Sequence, residues 1–324
     1  KGGIKRFDGA KDFGDHVTAD TLVLRGKKDQ GINGETNGIV LLDIATGWLD
    51  CIATRTKSGD DTYAALTEFA GPRTYVDYFY ADGGSELSRA AKDKGWCRGR
   101  STPGLPETNG IAEAAVKKVL YGTRTILEQA GAPPKFWPYA ARAFCLSNNI
   151  IEKDGVSPYE KRHAEVFSGP KLPFGCFVDY LPTPDKRYLK RKGEGEEHED
   201  GDMKNPKFAP RSKPGFFLGY FLQPGGKWTG DYLVADLETF SRDRKPTVCR
   251  VKRLTVPSGV PFVFPLKEEY DKVRMQLGRS IAGDFGLDDL EMDISDVRPS
   301  GSEQSGRTHV EEVPQIEVGT SSAQ

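Results

Sequence analysis

The run YVDYFYADGGSEL, Tyr75–Leu87, predicts a buried strand from Tyr75 to Ala81 that ends on Asp82. Tyr, Val and Phe dominate it, and such residues suit a pleated, half-buried surface. Gly83-Gly84 then breaks the strand. A carboxylate at the C-terminal end of a buried strand, followed by a glycine turn, sits where open α/β sheets place their chemistry. An Asp at a strand-to-turn junction is also an ordinary capping residue, so Asp82 acquires meaning only through partners elsewhere in the chain.

Upstream, Gly14–Leu24 predicts a first strand, with Val17 and Ala19 on one face and His16, Thr18 and Asp20 on the other. Arg25–Thr36 reads as a polar loop closing on Asn33-Gly34. Gly38–Asp43 and Trp48–Thr54 read as strands joined through Ala45-Thr46-Gly47, so the first three strands form an antiparallel meander. Lys57–Phe69 predicts a helix capped by Ser58 or Asp60 with a buried stripe of Tyr63, Leu66 and Phe69. Downstream, Glu86–Lys94 reads as a short helix stopped by Gly95. Trp96–Glu107 reads as an irregular loop of the kind that makes a mobile flap. Asn109 opens a long helix to about Ala130, with Ile111, Ala115, Val119 and Ile126 expected on its buried side. Glu113, Lys117, Leu120 and Arg124 fall on another face at i, i+4, i+7 and i+11. Phe136–Asn149 is the next helix.

From Pro158 the pattern changes to short apolar runs separated by Gly and Pro: Pro173–Leu181, Gly215–Leu222, Asp231–Asp236 and Thr247–Val256. These predict a small β-rich module whose aromatics, Phe174, Phe216, Phe217 and Tyr220, form a core. The expected organisation is a linker at 1–13, an α/β catalytic core at 14–165 and a β-rich module at 166–265. That module carries a disordered insertion at about 188–211, and a mostly disordered acidic tail follows at 266–324.

The 324 residues carry a net charge of −1, but the charge is uneven. Residues 281–324 hold ten acids against two bases, leaving 44 bases against 37 acids in the rest. A mildly basic body is compatible with nucleic-acid binding. Five scattered cysteines without CxxC spacing argue against a zinc site or a disulfide framework and for a reducing compartment. Four separated histidines disfavour a His metal cage. No apolar run is long enough to span a bilayer, so no membrane partner is expected. Lys1 in place of an initiator Met fits a segment of a longer polypeptide.

Asp20, Asp82 and Glu113 are the candidate constellation. If the first and fourth strands lie side by side in parallel, their carboxylates converge at one end, and the long helix brings Glu113 over them. Three carboxylates together are tolerable only with positive charge among them. Oxygen donors of this kind suit Mg²⁺ or Mn²⁺. Two such ions could activate a water or a 3′-hydroxyl and stabilise the leaving oxygen of a phosphodiester. A solvated Glu113 pairing with Lys117 at i, i+4 is the plainer alternative.

The segment TPGLPETNGIAEAAVKKVLYGTRTIL, Thr102–Leu127, resembles the P-x-x-P-Q-x-N-G-x-A-E segment of copia-type retrotransposon integrases, with Pro103, Pro106, Asn109, Gly110, Ala112 and Glu113 in register. ADGGSEL at Ala81–Leu87 resembles the family's S-D-N-G-x-E-F block, and GDHVTAD at Gly14–Asp20 its first-aspartate block. FWPYA (Phe136–Ala140), SPYE (Ser157–Glu160), PFGC (Pro173–Cys176) and FFLGY (Phe216–Tyr220) follow in the family's order, so the likeness covers about residues 13–240. It implies an RNase H-like mixed sheet flanked by helices. It also implies a metal triad of Asp20, Asp82 and Glu113 with two Mg²⁺ or Mn²⁺ ions, DNA 3′-end processing, and strand transfer. Lys117 matches a family position that often faces DNA, and Lys118 and Arg124 are its expected companions on phosphates. The implied partners are double-stranded DNA and further copies of the chain, without zinc, and the implied location is the nucleus or a particle before import. The chain departs from the family's blocks at Gly83, Gly104, Glu107 and Ala114. These departures motivate an alternative: a decayed or domesticated module that binds nucleic acid without catalysis.

Overall fold

In the computed structural model, described here over residues 9–24, 26–81, 85–100, 110–182, 211–242, 245–258 and 261–272, the chain is a mixed α/β protein with two five-stranded sheets and packed helices. The first sheet contains β1 (Val17–Val23), β2 (Asn37–Asp43), β3 (Leu49–Thr54), β4 (Phe79–Ala81) and β5 (Arg98–Arg100), in the order β3-β2-β1-β4-β5. The first three strands form the expected antiparallel meander. Its second turn is built by Asp43, whose Oδ1 accepts the Thr46 N–H at 2.8 Å and the Thr46 hydroxyl at 2.6 Å. Gly47 follows at φ +74°, a left-handed backbone that glycine adopts without strain.

β4 pairs parallel to β1, and β5 parallel to β4. The strand leading to Asp82 is shorter than its composition predicts. Tyr75 is 54% exposed and donates its hydroxyl to Gly95 O at 2.6 Å, so its aromatic bulk covers the end of a helix instead of joining the sheet. The ladder is approached through isolated bonds, Asp77 N to Gly14 O and Val17 N to Tyr78 O. β5 was not expected. Its Arg-Gly-Arg sequence lacks the β-branched or aromatic character that marks a strand.

Helix α1 (Gly59–Ala70) starts at Ser58, whose Oγ accepts the Asp61 N–H at 3.1 Å, with Asp60 and Asp61 favourably placed in the first turn. It buries Thr62, Ala65, Leu66, Phe69 and Ala70, while Tyr63 of the expected stripe is 42% exposed. Helix α2 (Ser85–Asp93) ends before Gly95 at φ +74°. Helix α3 (Gly110–Ala130) buries Ala112, Ala115, Val119, Thr123 and Ala130. Ile111, expected inside, is exposed. Small side chains face the sheet here because they let the helix backbone approach closely. Helix α4 (Trp137–Ile150) follows as predicted, and α5 (Pro158–His163), capped by Ser157, was not foreseen as a helix.

Alternation divides the first sheet between two layers. Val17, Ala19, Ile39, Leu41, Phe79 and Ala81 share a cluster with Leu66, Phe69, Leu87 and Ala90 of α1 and α2. Val40, Leu49 and Cys51 meet Ala115 and Val119 of α3 and Trp137, Ala141 and Cys145 of α4.

The second sheet is antiparallel throughout, with β6 (Phe177–Tyr180), β7 (Lys213–Leu222), β8 (Trp228–Asp236), β9 (Val248–Val251) and β10 (Leu254–Thr255) in the order β10-β6-β7-β8-β9. Phe174, Phe216, Phe217 and Tyr220 are buried, so these aromatics build the interior. At about 1.5–3 kcal/mol for each large side chain taken from water, they are a main source of stability. Helix α4 touches both β3 and β7. One buried cluster also contains residues of both sheets, from Val17 and Trp48 to Phe217, Tyr232 and Val251. No described helix is long and apolar enough to cross a membrane. The insertion expected at about 188–211 lies outside the described residues except for Arg211. Of the tail expected at 266–324, residues 266–272 are described and carry a short helix at 267–272, with Leu266 packed against the core, while the remainder lies outside the described residues.

Candidate active site

The site is built on the parallel β1–β4 pair. Val17 is in register with Phe79, Thr18 with Tyr80, and Ala19 with Ala81. Asp20 therefore follows directly on the residue that pairs with Ala81. Across the other ladder Asp20 is opposite Val40, and side chains directly opposite each other share a face of the sheet. Val40 packs with Ala115 and Val119, so Asp20 lies on the α3 side. The Asp20 carboxylate is half-buried, and its Oδ1 accepts the Thr21 N–H at 2.7 Å.

Glu113 is half-buried in the first turn of α3, between the buried residues Ala112 and Ala115. That turn is the positive end of the helix dipole, which favours a carboxylate. Asp82, the third expected acid, lies outside the described residues, as do Pro103, Gly104, Pro106, Glu107 and Asn109 of the preceding loop. Among the described residues no group of three or more His, Cys, Asp or Glu side chains is placed to hold a metal ion. Asp20 and Glu113 supply the hard oxygen donors that a Mg²⁺ or Mn²⁺ site uses.

The remaining titratable groups near the core do not offer competing chemistry. Burial pushes the Cys51 and Cys176 thiols up to about 12 and holds Cys145 well above its ordinary value, so none of the three supplies a thiolate. His16 lies edge-on to Tyr78, and burial lowers its pKa despite nearby Asp43. His163 packs against Tyr159 and Trp48, and burial, with the charges of Arg162 and Lys227, lowers its pKa to about 4. Both imidazoles are held toward the neutral form.

The three expected phosphate contacts are exposed on α3. Lys117 and Arg124 form no ion pair with a described carboxylate. Arg124 stands at the rim of a small cleft, about 150 Å³, lined also by Leu22, Leu24, Thr123 and Leu127. Lys118 is engaged: its Nζ donates to Asn148 Oδ1 at 2.5 Å, on the neighbouring helix α4.

Two arrangements escaped the sequence. One is the group formed by half-buried Arg142 with buried Asp50 and half-buried Glu68, at 3.8 and 2.7 Å. Burial works against the Arg142 charge, but Asp50 and Glu68 hold its pKa above the usual value, while burial raises Asp50 in spite of Arg142. The guanidinium stays charged, and Asp50, whose Oδ1 also accepts the Cys51 N–H at 2.9 Å, is the penalised member. The other is the convergence of Lys153 with Lys118 on Asn148. The Asp154-Gly155 dipeptide, a hairpin signal, was its only sequence trace. Compared with models of protein families and with curated proteins, the chain matches none of them.

Proposed function

We propose that the chain is the catalytic region of a retrotransposon-type integrase, an RNase H-like polynucleotidyl transferase acting on DNA. The observation that carries this reading is the parallel register of β1 and β4. It sets Asp20 directly after the partner of Ala81, to which Asp82 is covalently joined. The strand order, with an antiparallel meander extended by parallel strands, and the packing of α3 over the Asp20 face support it further.

In this reading Asp20, Asp82 and Glu113 hold two Mg²⁺ or Mn²⁺ ions, which when bound would lower the pKa of water or a 3′-hydroxyl and balance charge on the leaving oxygen. The chain's own part is to orient. The Thr21 amide fixes one oxygen of Asp20, and the α3 packing through Ala112 and Ala115 sets the height of Glu113 above the sheet. Water first attacks a phosphodiester near a DNA 3′ end, and the P–O bond to the terminal nucleotides breaks. The freed 3′-hydroxyl then attacks a target phosphodiester, forming one P–O bond as the target's own 3′-oxygen leaves. No covalent enzyme intermediate is needed. Lys117, Lys118 and Arg124 position backbone phosphates and read little sequence. Action on paired DNA ends in the nucleus, by more than one copy of the chain, belongs to the same proposal.

The test is a strand-transfer assay on the purified chain with a labelled duplex and Mg²⁺. Glu113→Gln should abolish transfer with an unchanged circular-dichroism spectrum and melting temperature in the absence of metal. Full activity in that variant would sink the assignment. Duplex binding without transfer by the unaltered chain would instead favour the binding module that the departures at Gly83, Glu107 and Ala114 suggest.

A further inference from the structure

Lys118 and Lys153 both donate to one oxygen, Asn148 Oδ1, at 2.5 and 3.4 Å. Asn148 is only 9% exposed and lies in the last turn of α4, so the acceptor is fixed by the helix. Two ammonium groups facing the same amide also fix its orientation, because the NH₂ end would meet two donors.

Lys153 is held just as firmly. Lys153 and Val156 exchange both backbone hydrogen bonds, at 3.2 and 3.3 Å, around Asp154 at φ +54° and Gly155 at φ +84°. This is a two-residue reverse turn with both central residues left-handed, the tight form that Asp-Gly favours. Ser157 then caps α5, and the first turns of that helix carry Lys161.

These lysines feel one another. The pKa of Lys153 is lowered by partial burial and by the charges of Lys118 and Lys161. Like charges gathered on rigid elements are normally offset by acids. Glu152, Asp154 and Glu160 are nearby in sequence, yet no described carboxylate forms an ion pair with Lys118, Lys153 or Lys161. All three are exposed, so an anion can reach them. A neutral amide oxygen gathers two of them without cancelling either charge.

We infer that Lys118, Lys153 and Lys161 form a phosphate clamp for the backbone of duplex DNA, extending the α3 surface onto the turn after α4 and onto α5. The inference rests on the DNA-binding part of the proposed function. It adds two residues, Lys153 and Lys161, that lie 40 and 48 positions beyond Glu113 in the chain. Lys118 and Lys153 held on one amide oxygen, with Lys161 close by on α5, suit a run of phosphates, which offers repeated charge without base identity.

The experiment measures binding of a labelled duplex by fluorescence anisotropy over a series of KCl concentrations. Each phosphate contact contributes about 0.9 to the slope of log K against log salt. Lys153→Gln/Lys161→Gln should make the slope shallower by about 1–2 and weaken binding most at low salt. Lys153→Arg/Lys161→Arg should restore it. A control, Lys227→Gln/Lys267→Gln, removes the same charge from lysines already paired with Glu165 and Asp271, and should leave the slope near that of the unaltered chain. Circular dichroism checks that each variant folds. An unchanged slope in Lys153→Gln/Lys161→Gln, with duplex binding intact, overturns the clamp alone. No duplex binding by the unaltered chain overturns the underlying reading, and the clamp with it.

Discussion

Replacing Arg142 by Met should be among the most destabilising single changes available on α4. Arg142 lies 3.8 Å from Asp50, and Asp50 is a 3%-exposed carboxylate on β3 whose Oδ2 has no hydrogen-bond partner. At that separation and an effective dielectric near 20, the attraction is about 4 kcal/mol. Removing the partner of a buried charge costs up to about 3–5 kcal/mol, since the buried Asp50 carboxylate is left stranded although Arg142 itself is only half-buried. Glu68, 27% exposed, can turn to water, so the penalty falls on Asp50. A domain typically has about 5–15 kcal/mol in total, and a loss of this size would bring the urea midpoint down severely. Urea unfolding followed by Trp fluorescence measures it. Asp50→Asn/Arg142→Met should recover at least half of the loss, because no charge remains buried. The sign with pH is also fixed. Burial already raises Asp50, and without Arg142 its folded pKa rises further above the unfolded value. A group of that kind gains stability as pH falls, so the deficit of Arg142→Met should narrow from pH 7 toward pH 4. A deficit below about 1 kcal/mol that does not vary with pH, and is simply additive with Asp50→Asn, would refute the account.

Three further outcomes follow from the structure. His163, with a folded pKa of about 4 against an ordinary 6.5, stays neutral while the unfolded chain takes up a proton. Stability should thus be full above pH 6.5 and decline through the interval down to about 4, by on the order of 3 kcal/mol, and His163→Gln should flatten that part of a pH series of urea midpoints. Gly122→Ala gains about 1 kcal/mol of helix propensity, but the added Cβ would lie 2.1 Å from the Phe144 ring. Overpacking of about 1–3 kcal/mol should win, and Phe144→Leu in the same chain should recover part of it, read as a thermal midpoint. Millimolar Mg²⁺ or Mn²⁺ should raise the melting temperature of the unaltered chain, and Glu113→Gln should lose most of that shift.

The parts of the fold written in local chemistry were legible. The β2–β3 turn at Thr46-Gly47, the Ser58 cap and the extent of α3 and α4 follow from single residues and helical spacing. Errors arose where tertiary contacts overrode composition. Tyr75 has strand propensity but covers Gly95, and Ile111 looks like a core residue but is exposed, because close packing on the sheet selects Ala112. β5 carries no apolar signal, since its Arg-Gly-Arg has none of the β-branched or aromatic residues that mark a strand, yet it pairs parallel with β4. At the candidate site, sequence order gave the partnership of β1 and β4 and the helix bearing Glu113. It could not give the Lys118–Asn148–Lys153 grouping, whose members are 30 and 5 residues apart in sequence.

Helix α4 packs against both sheets, with different side chains for each. Cys145 and Trp137 are claimed by the first sheet, Phe136 and Ala140 just before and within it by the second, through Phe216 and Leu218. Cutting the chain after α5 would therefore strip a wall from Trp48, Leu146 and Tyr159, leaving greasy surface where β7 and β8 had been. Expression trials that stop near residue 165 should give insoluble material, and a soluble fragment would have to run through β10. Whatever lies at the carboxylate end of β1 is thus mechanically hostage to strands some two hundred residues downstream.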